Sequence, residues 1–431
     1  MFRKDRKQRD REPEDVRAVM EISDSADAAA VLGAHENAPY APPPDERYLR
    51  LSRRLRTAKF AVLTLFIVFL LGMITVFSEE ITTEHLRYIL KELNISLSSS
   101  GDDYGELLYT SDSEMNFALF RSDLVCVGRE SVEVIDRTGA HILSRQLRYA
   151  KPKLLTSDNY LLVYDLSGYK LSLYNAFSCV YEETFPYPIS DASMNGGGMF
   201  MLATRTDIYR TAVYIYNRNF DQIYRWYSND KFIFDMLLSD NGKDFLLFCA
   251  YAKDGAFYTE ILSGNVGSET LTTVYEQADT LVLSAAYTSE GNFSVFCDSK
   301  ALFFTEDGQL LRSYSYGSET PVYCSTGDGK TAIILKSSAV GQPKSLVVFD
   351  GDGNIVAETP LSADTSKVLL YEGGAFLLQS DRVVRFDLSA RTKTEYITGQ
   401  NVIDMIAEEG TLFLLTGTRA YPLKIGEIFA P

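Results

Sequence analysis

From about Gly105 to Ile425 the apolar residues fall in short runs of five to seven, alternating with polar residues at a period near two and separated by turn residues. That pattern predicts β-strands, because successive side chains of a strand point to opposite faces. One arrangement recurs: a turn rich in Asp, Glu, Asn or Gly, followed at once by a strongly apolar strand. It is seen as SDLVCVG from Ser122, TSDNYLLVYD from Thr156, NGGGMFMLA from Asn195 and DNGKDFLLFC from Asp240. It returns as SEGNFSVFC from Ser289, GDGKTAIIL from Gly327, EGGAFLLQ from Glu372 and EEGTLFLL from Glu408. A further strand that often ends in Asp or Asn before a turn follows, as in VEVIDRTG, LSLYNAF, VYIYNRN, LVVFDGDG and VVRFDLS.

These eight copies lie roughly 35 to 50 residues apart. Four strands per unit at that spacing predict an all-β fold, a β-propeller of four-stranded blades. A solenoid would repeat faster, and a sandwich would not repeat. Blades cover both faces of each sheet, which accounts for strands that are apolar on both sides. Eight blades are expected, with seven as the alternative if one repeat is irregular. The eighth unit has strands near Asn401 to Ala407, Thr411 to Thr416 and Arg419 to Ile425, and then the chain ends. Its missing fourth strand is expected from GELLYT, Gly105 to Thr110, which would close the ring and remove two open sheet edges.

The N-terminal part reads differently. Residues 1–56 are polar, dense in charge and poor in aromatics, with Pro42, Pro43 and Pro44 in a row. Such a segment buries too little apolar surface to offset its ordering entropy, so a disordered tail is expected. Residues 57–78 are expected to form a transmembrane signal anchor. Within them Phe60 to Ser78 carries no charge over 19 positions. As a helix at about 1.5 Å per residue it would span about 28 Å, close to the thickness of the hydrocarbon core of a bilayer. Arg47, Arg50, Arg53, Arg54, Arg56 and Lys59 precede it, while Glu79, Glu80 and Glu84 follow. The positive-inside rule then predicts a single-pass cell-membrane protein with a cytoplasmic N-terminus and an extracytoplasmic domain over 105–427. In 79–100, Ile81, His85, Leu86, Ile89, Leu90, Leu93 and Leu97 recur at helical spacing. That stripe predicts an amphipathic helix that packs on the domain, continues as a stalk or pairs between copies.

Composition narrows the function classes. The net charge is −16, and beyond Lys59 the chain holds 29 Lys/Arg against 47 Asp/Glu, about −18. That balance excludes nucleic acid as the main partner. Cys126, Cys179, Cys249, Cys297 and Cys324 show no CxxC spacing and lie mostly in apolar runs, so they read as core residues rather than a redox or zinc motif. His35 and His141 have no obvious nucleophile partner, and His85, on the helical stripe, reads as a packed residue rather than a ligand.

Four local patterns bear on chemistry. STGDGKT, Ser325 to Thr331, has the end of a phosphate-binding loop without its spacing or its following helix, so Lys330 is expected in solvent. Asp350, Asp352 and Asn354 stand at calcium-loop spacing, but Ile355 and Leu361 occupy positions where Gly and Glu are wanted, and a tight hairpin turn accounts for them equally well. Tyr214, Tyr216, Tyr224, Trp226 and Tyr227 are expected mainly in blade packing, with stacking on sugars as the alternative. A catalytic carboxylate pair converging from distant blades is compatible with the acidity, but spacing selects none.

The blade ends VYDLSG, VFDGDGN and RFDLSA are similar to those of quinoprotein-like and WD40-like propellers, without the regular Trp, Gly-His and Trp-Asp marks of either family. No quinone-cofactor ligands are recognisable, and no cofactor is expected. The whole plan, a charged tail, one anchor helix and an exported propeller, resembles the uncharacterised bacterial family known as domain of unknown function 5711. That resemblance implies no activity and no catalytic residues. The expected function is a membrane-tethered, non-enzymatic binding, scaffold or sensor module of the cell envelope. Its expected contacts are the bilayer, through Phe60 to Ser78, and an envelope protein or neutral glycan. The alternative is an extracytoplasmic enzyme acting on polysaccharide or cell-wall material through acidic residues of the channel.

Overall fold

The computed structural model describes residue 55 and residues 57–69, 104–288, 291–338 and 343–429. The chain divides into two units, 1–81 and 82–431. In the first, residues 57–69 are helical, with Leu63, Leu65, Phe66 and Val68 exposed. Among the described residues no helix is long and apolar enough to cross a membrane. The remainder of the expected span, 70–78, the expected helix over 79–100 and nearly all of the expected tail lie outside the described residues.

Among the described residues of the second unit thirty-two strands, β1 to β32, form eight antiparallel sheets of four. Eight blades is therefore the right count. Seven sheets run in sequence order, and their first strands are β2 (Asn116–Phe120), β6 (Pro152–Thr156), β10 (Ile189–Met194), β14 (Phe232–Leu238), β18 (Val282–Tyr287), β22 (Glu319–Gly327) and β26 (Lys367–Tyr371). The eighth sheet begins with β30 (Asp404–Glu408), continues through β31 (Thr411–Leu415) and β32 (Arg419–Lys424), and ends with β1 (Leu107–Leu108). First strands of neighbouring blades meet, as β10 meets β14 and β30 meets β2. They form the innermost ring around the channel.

Closure occurs as the sequence predicts. Leu107 pairs with Ala420 and Leu108 with Arg419. The Tyr109 hydroxyl donates to the Thr416 and Arg419 carbonyls at 2.7 and 2.8 Å. Leu107 and Tyr109 are buried with Phe413, Leu415 and Ala420, so apolar packing supports the two-residue pairing. After β32 the chain turns into a short helix, Ile425–Ile428, and Phe429 packs edge-on against Phe376 of the preceding blade.

Second strands carry the core. Asp123–Val127, Phe200–Thr204, Phe293–Cys297, Gly374–Leu378 and Thr411–Leu415 are buried at every position, because neighbouring blades cover both faces. Each fully buried Val, Leu or Phe contributes about 1.5–3 kcal/mol by leaving water. Cys126, Cys249 and Cys297 are buried on these strands as free thiols, in agreement with their reading as core residues. The recurrent acidic–Gly turn also has a physical reason. Asp328-Gly329, Glu372-Gly373 and Glu409-Gly410 take positive φ at both positions and join first to second strands. Two-residue turns of this kind match the natural twist of a hairpin, and Gly adopts the second position without strain.

Candidate functional site

Four innermost strands in succession are interrupted by a β-bulge. The pairing skips a residue between Ile189 and Asp191, Ile233 and Asp235, Val282 and Ser284, and Pro321 and Tyr323. The residues left over are Ser190, Phe234, Leu283 and Val322. The other four innermost strands, β2, β6, β26 and β30, keep an unbroken register. A bulge bends its strand and re-aims side chains, and here it turns large apolar groups outward. Phe234, Leu283 and Val322 are 44%, 49% and 44% exposed. In β18, Val282 is buried and the adjacent Leu283 is exposed, so two consecutive apolar residues are split between core and solvent.

Directly after the extruded residue, three of these strands carry a polar side chain: Asp191, Asp235 and Ser284. Asp191 Oδ1 accepts the Tyr164 hydroxyl at 3.2 Å. Burial pushes the Asp191 carboxyl up to about 7, and the charge of Asp235 adds to the rise. The Ala192 N–H, the Tyr164 hydroxyl and Lys153 oppose it only in part. Burial likewise raises Asp235 to about 6, against N–H donation from Ala285 at 2.7 Å and Met236 at 2.8 Å. The bond from Ala285 ties the fourth blade to the fifth. Burial also lifts the Cys324 thiol, with the Asp235 charge adding and the Ser284 hydroxyl opposing.

Among the described residues no Lys or Arg forms an ion pair with Asp191 or Asp235. In the unbulged half, by contrast, Asp404 of β30 pairs with Lys367 Nζ of β26 at 2.8 Å. The innermost ring thus has one sector in which an acidic group is ion-paired and another in which two buried acidic groups have hydrogen bonds but no ion pair among the described residues. Sequence reasoning missed Asp191 and Asp235. The available signal was Ile-Ser-Asp at 189–191 and Ile-Phe-Asp at 233–235, at equivalent places in adjacent repeats.

The residues singled out from the sequence lie elsewhere. Asp350, Asp352 and Asn354 make a hairpin turn. Asp350 Oδ1 accepts the N–H groups of Asp352 and Asn354 at 3.1 and 2.8 Å, and its Oδ2 accepts Asn354 Nδ2 at 2.9 Å. Burial pushes the Asp350 carboxyl up, but these bonds and the nearby Arg312 outweigh it and hold it below the usual carboxylate value. Asp352 Oδ1 accepts Asn292 Nδ2 at 3.1 Å, bridging two blades. Among the described residues no group of three His, Cys, Asp or Glu side chains is placed to hold a metal. Lys330 sits on the hairpin turn and donates to the Asp328 carbonyl at 3.3 Å, beside an open groove of about 480 Å³ shared with Asp350 and Asp352.

Of the Tyr-rich run, Tyr216 stacks on Phe200 at 4.7 Å and Tyr224 packs on Phe245 at 5.0 Å, both buried. Trp226 is half-buried against the same core, while Tyr227 is partly exposed and stacks on Tyr209 at 4.8 Å. Most of the run therefore packs blades. His141 Nδ1 lies 3.8 Å from Glu133.

The described chain is similar in shape to several solved propellers. Against BamB from Moraxella catarrhalis the TM-score is 0.49 at 11% identity, over 74% of this chain and 100% of that one. Against a quinohemoprotein alcohol dehydrogenase from Pseudomonas putida HK5 it is 0.48 at 8%, over 72% and 71%. Against the Pan2 WD40 domain of Neurospora crassa it is 0.43 at 8%, over 75% and 92%. Comparison with curated proteins finds no match to the sequence. The model of a family of unknown function, DUF5711, matches residues 105–420, nearly the whole propeller, and the chain belongs to that family.

Proposed function

We propose that this chain is a membrane-tethered binding or scaffold module of the cell envelope, with its propeller outside the membrane and a protein or neutral glycan as partner. The tether is the charge-free stretch Phe60 to Ser78, and its basic upstream and acidic downstream flanks support the orientation. Its described portion, 60–69, is helical and free of charge and extends about 15 Å, so the remaining residues are needed to complete a span.

The observation that carries the binding role is the row of exposed apolar side chains, Phe234, Leu283 and Val322, at bulges on the innermost strands. Exposed apolar groups clustered within a polar rim mark interaction sites more often than isolated ones do. The test uses the full chain in detergent to capture partners from an envelope fraction. Retention should be lost in Leu283→Ser/Val322→Ser and kept in Ile355→Ser, which changes an equally exposed residue on the outer strand Ile355–Leu361. Equal retention by both variants would remove this face from the binding role.

Asp191 and Asp235 favour a second reading, hydrolysis of a glycan in the channel, since raised carboxyl groups serve as acids. Turnover of cell-wall glycan by the wild type, abolished in Asp235→Asn, would establish it.

A further inference from the structure

We infer that the bulged sector of the channel is a receptor site for a basic side chain, a lysine or arginine on a peptide segment with apolar neighbours; this rests on the binding-module reading above. Two features of different chemistry meet there. Phe234, Leu283 and Val322 present apolar surface on three successive innermost strands, β14, β18 and β22. Asp235 directly follows Phe234, and Asp191, on which the Asp235 charge acts, holds the equivalent place on β10; no described cation forms an ion pair with either. Lys and Arg combine an apolar stem with a charged tip, so one such side chain satisfies both features.

Other ligand classes fit less well. An anion would meet like charge, in a domain that already carries about −18 beyond Lys59. A neutral glycan would leave both carboxylates unmatched. A divalent ion lacks a third protein ligand among the described residues. Asp404 shows the complementary arrangement within the same ring: its position is filled by Lys367 from the adjacent strand.

Charge coupling supplies a second signature. Asp191 is faced by Lys153 from β6, by Tyr164 from the strand Leu161–Asp165 and by Asp235 from β14, while Asp235 acts on Cys324 from β22. With carboxyls at about 7 and about 6, docking of a cation lowers both values. It therefore releases protons near neutral pH and weakens as the pH falls.

The test is fluorescence anisotropy on the full chain in detergent micelles. The probes are a labelled pentapeptide, Ala-Leu-Lys-Leu-Ala with blocked ends, and its Gln counterpart. At pH 7.5 the Lys peptide should bind about tenfold more tightly than the Gln peptide, which is about 1.4 kcal/mol. The preference should shrink at pH 5.5 and vanish in Asp191→Asn/Asp235→Asn, in which the remaining amide oxygens can accept from Tyr164 and Ala285 while the Met236 N–H loses its acceptor. Leu283→Ser should weaken both peptides alike. Equal binding of the two peptides by the wild type, no binding of either, or a preference that survives in the Asn variant would each overturn the cation site. The capture experiment above would stand untouched by those results, because it reads loss of a partner on removal of apolar surface, whatever its charge.

Discussion

Blades three to six and blades seven, eight, one and two share one plan, yet their innermost strands are built differently. In the first group every innermost strand is bulged, and in the second none is. The second strands behind them have buried centres in both groups, as Phe293 and Phe413 illustrate. The bulges between first and second strands thus separate the two groups in the layer nearest the axis. A repeat fold can vary one layer freely when another carries the packing, and here the varied layer is the one that exposes Phe234, Leu283 and Val322.

The largest expected effect is on stability. Phe293→Ala in the bulged half and Phe413→Ala in the unbulged half should each cost about 3–5 kcal/mol, since both remove a fully buried ring. Denaturant unfolding would check this, and a much smaller loss at Phe293 would mean that the bulged half is loosely packed.

Next in size is the dependence on pH. Asp191 and Asp235 start from 3.8 in an unfolded chain and reach about 7 and about 6 in the fold. The fold therefore holds these protons more tightly than the unfolded chain does. Their contribution to stability is fully present below 3.8 and is lost as the pH rises to about 7. Asp191→Asn should flatten the fall in melting temperature between pH 5 and pH 8 and raise its value at pH 8. An unchanged slope would show that the carboxyl is solvated like any surface group.

Smaller still, Lys367→Met removes the partner of Asp404 and should cost up to about 1 kcal/mol, the scale of a partly exposed pair. Leu283→Ser should change stability by no more than about 0.5 kcal/mol, because an exposed side chain has little packing to lose. A large loss on Leu283→Ser would place that side chain in the core and end the contrast between the halves.

The repeat was legible because its signals are local. Apolar second strands announce themselves by burial on both faces, and Glu372-Gly373 or Glu409-Gly410 announce the hairpins that precede them. Closure was legible as an arithmetic deficit, one strand short at Arg419 to Ile425 and one to spare at Gly105 to Thr110. The bulges were not. Ser190, Phe234, Leu283 and Val322 are ordinary strand residues with no Gly to mark the break, and an extra residue looks like a lapse in alternation. Asp191 and Asp235 acquire their meaning from neighbouring blades rather than from spacing along the chain. Asp350, Asp352 and Asn354 erred in the other direction, since a regular spacing of acceptors is also what a turn uses to satisfy its own N–H groups.

The two-residue strand that completes the last blade has a consequence for how the molecule is made. Tyr109 bonds to a carbonyl 310 positions later, so the first strand to be synthesised waits for nearly the last. At about 5–20 residues per second a ribosome needs about 15–60 s to make that stretch. Throughout that interval the leading segment must avoid every other strand that emerges behind it. A strand of two residues, Leu107–Leu108, offers too few backbone groups to capture a wrong neighbour, and it acquires lasting affinity only when the pocket around Phe413 and Ala420 exists to receive it. Brevity at the seam thus works as a timing device for assembly.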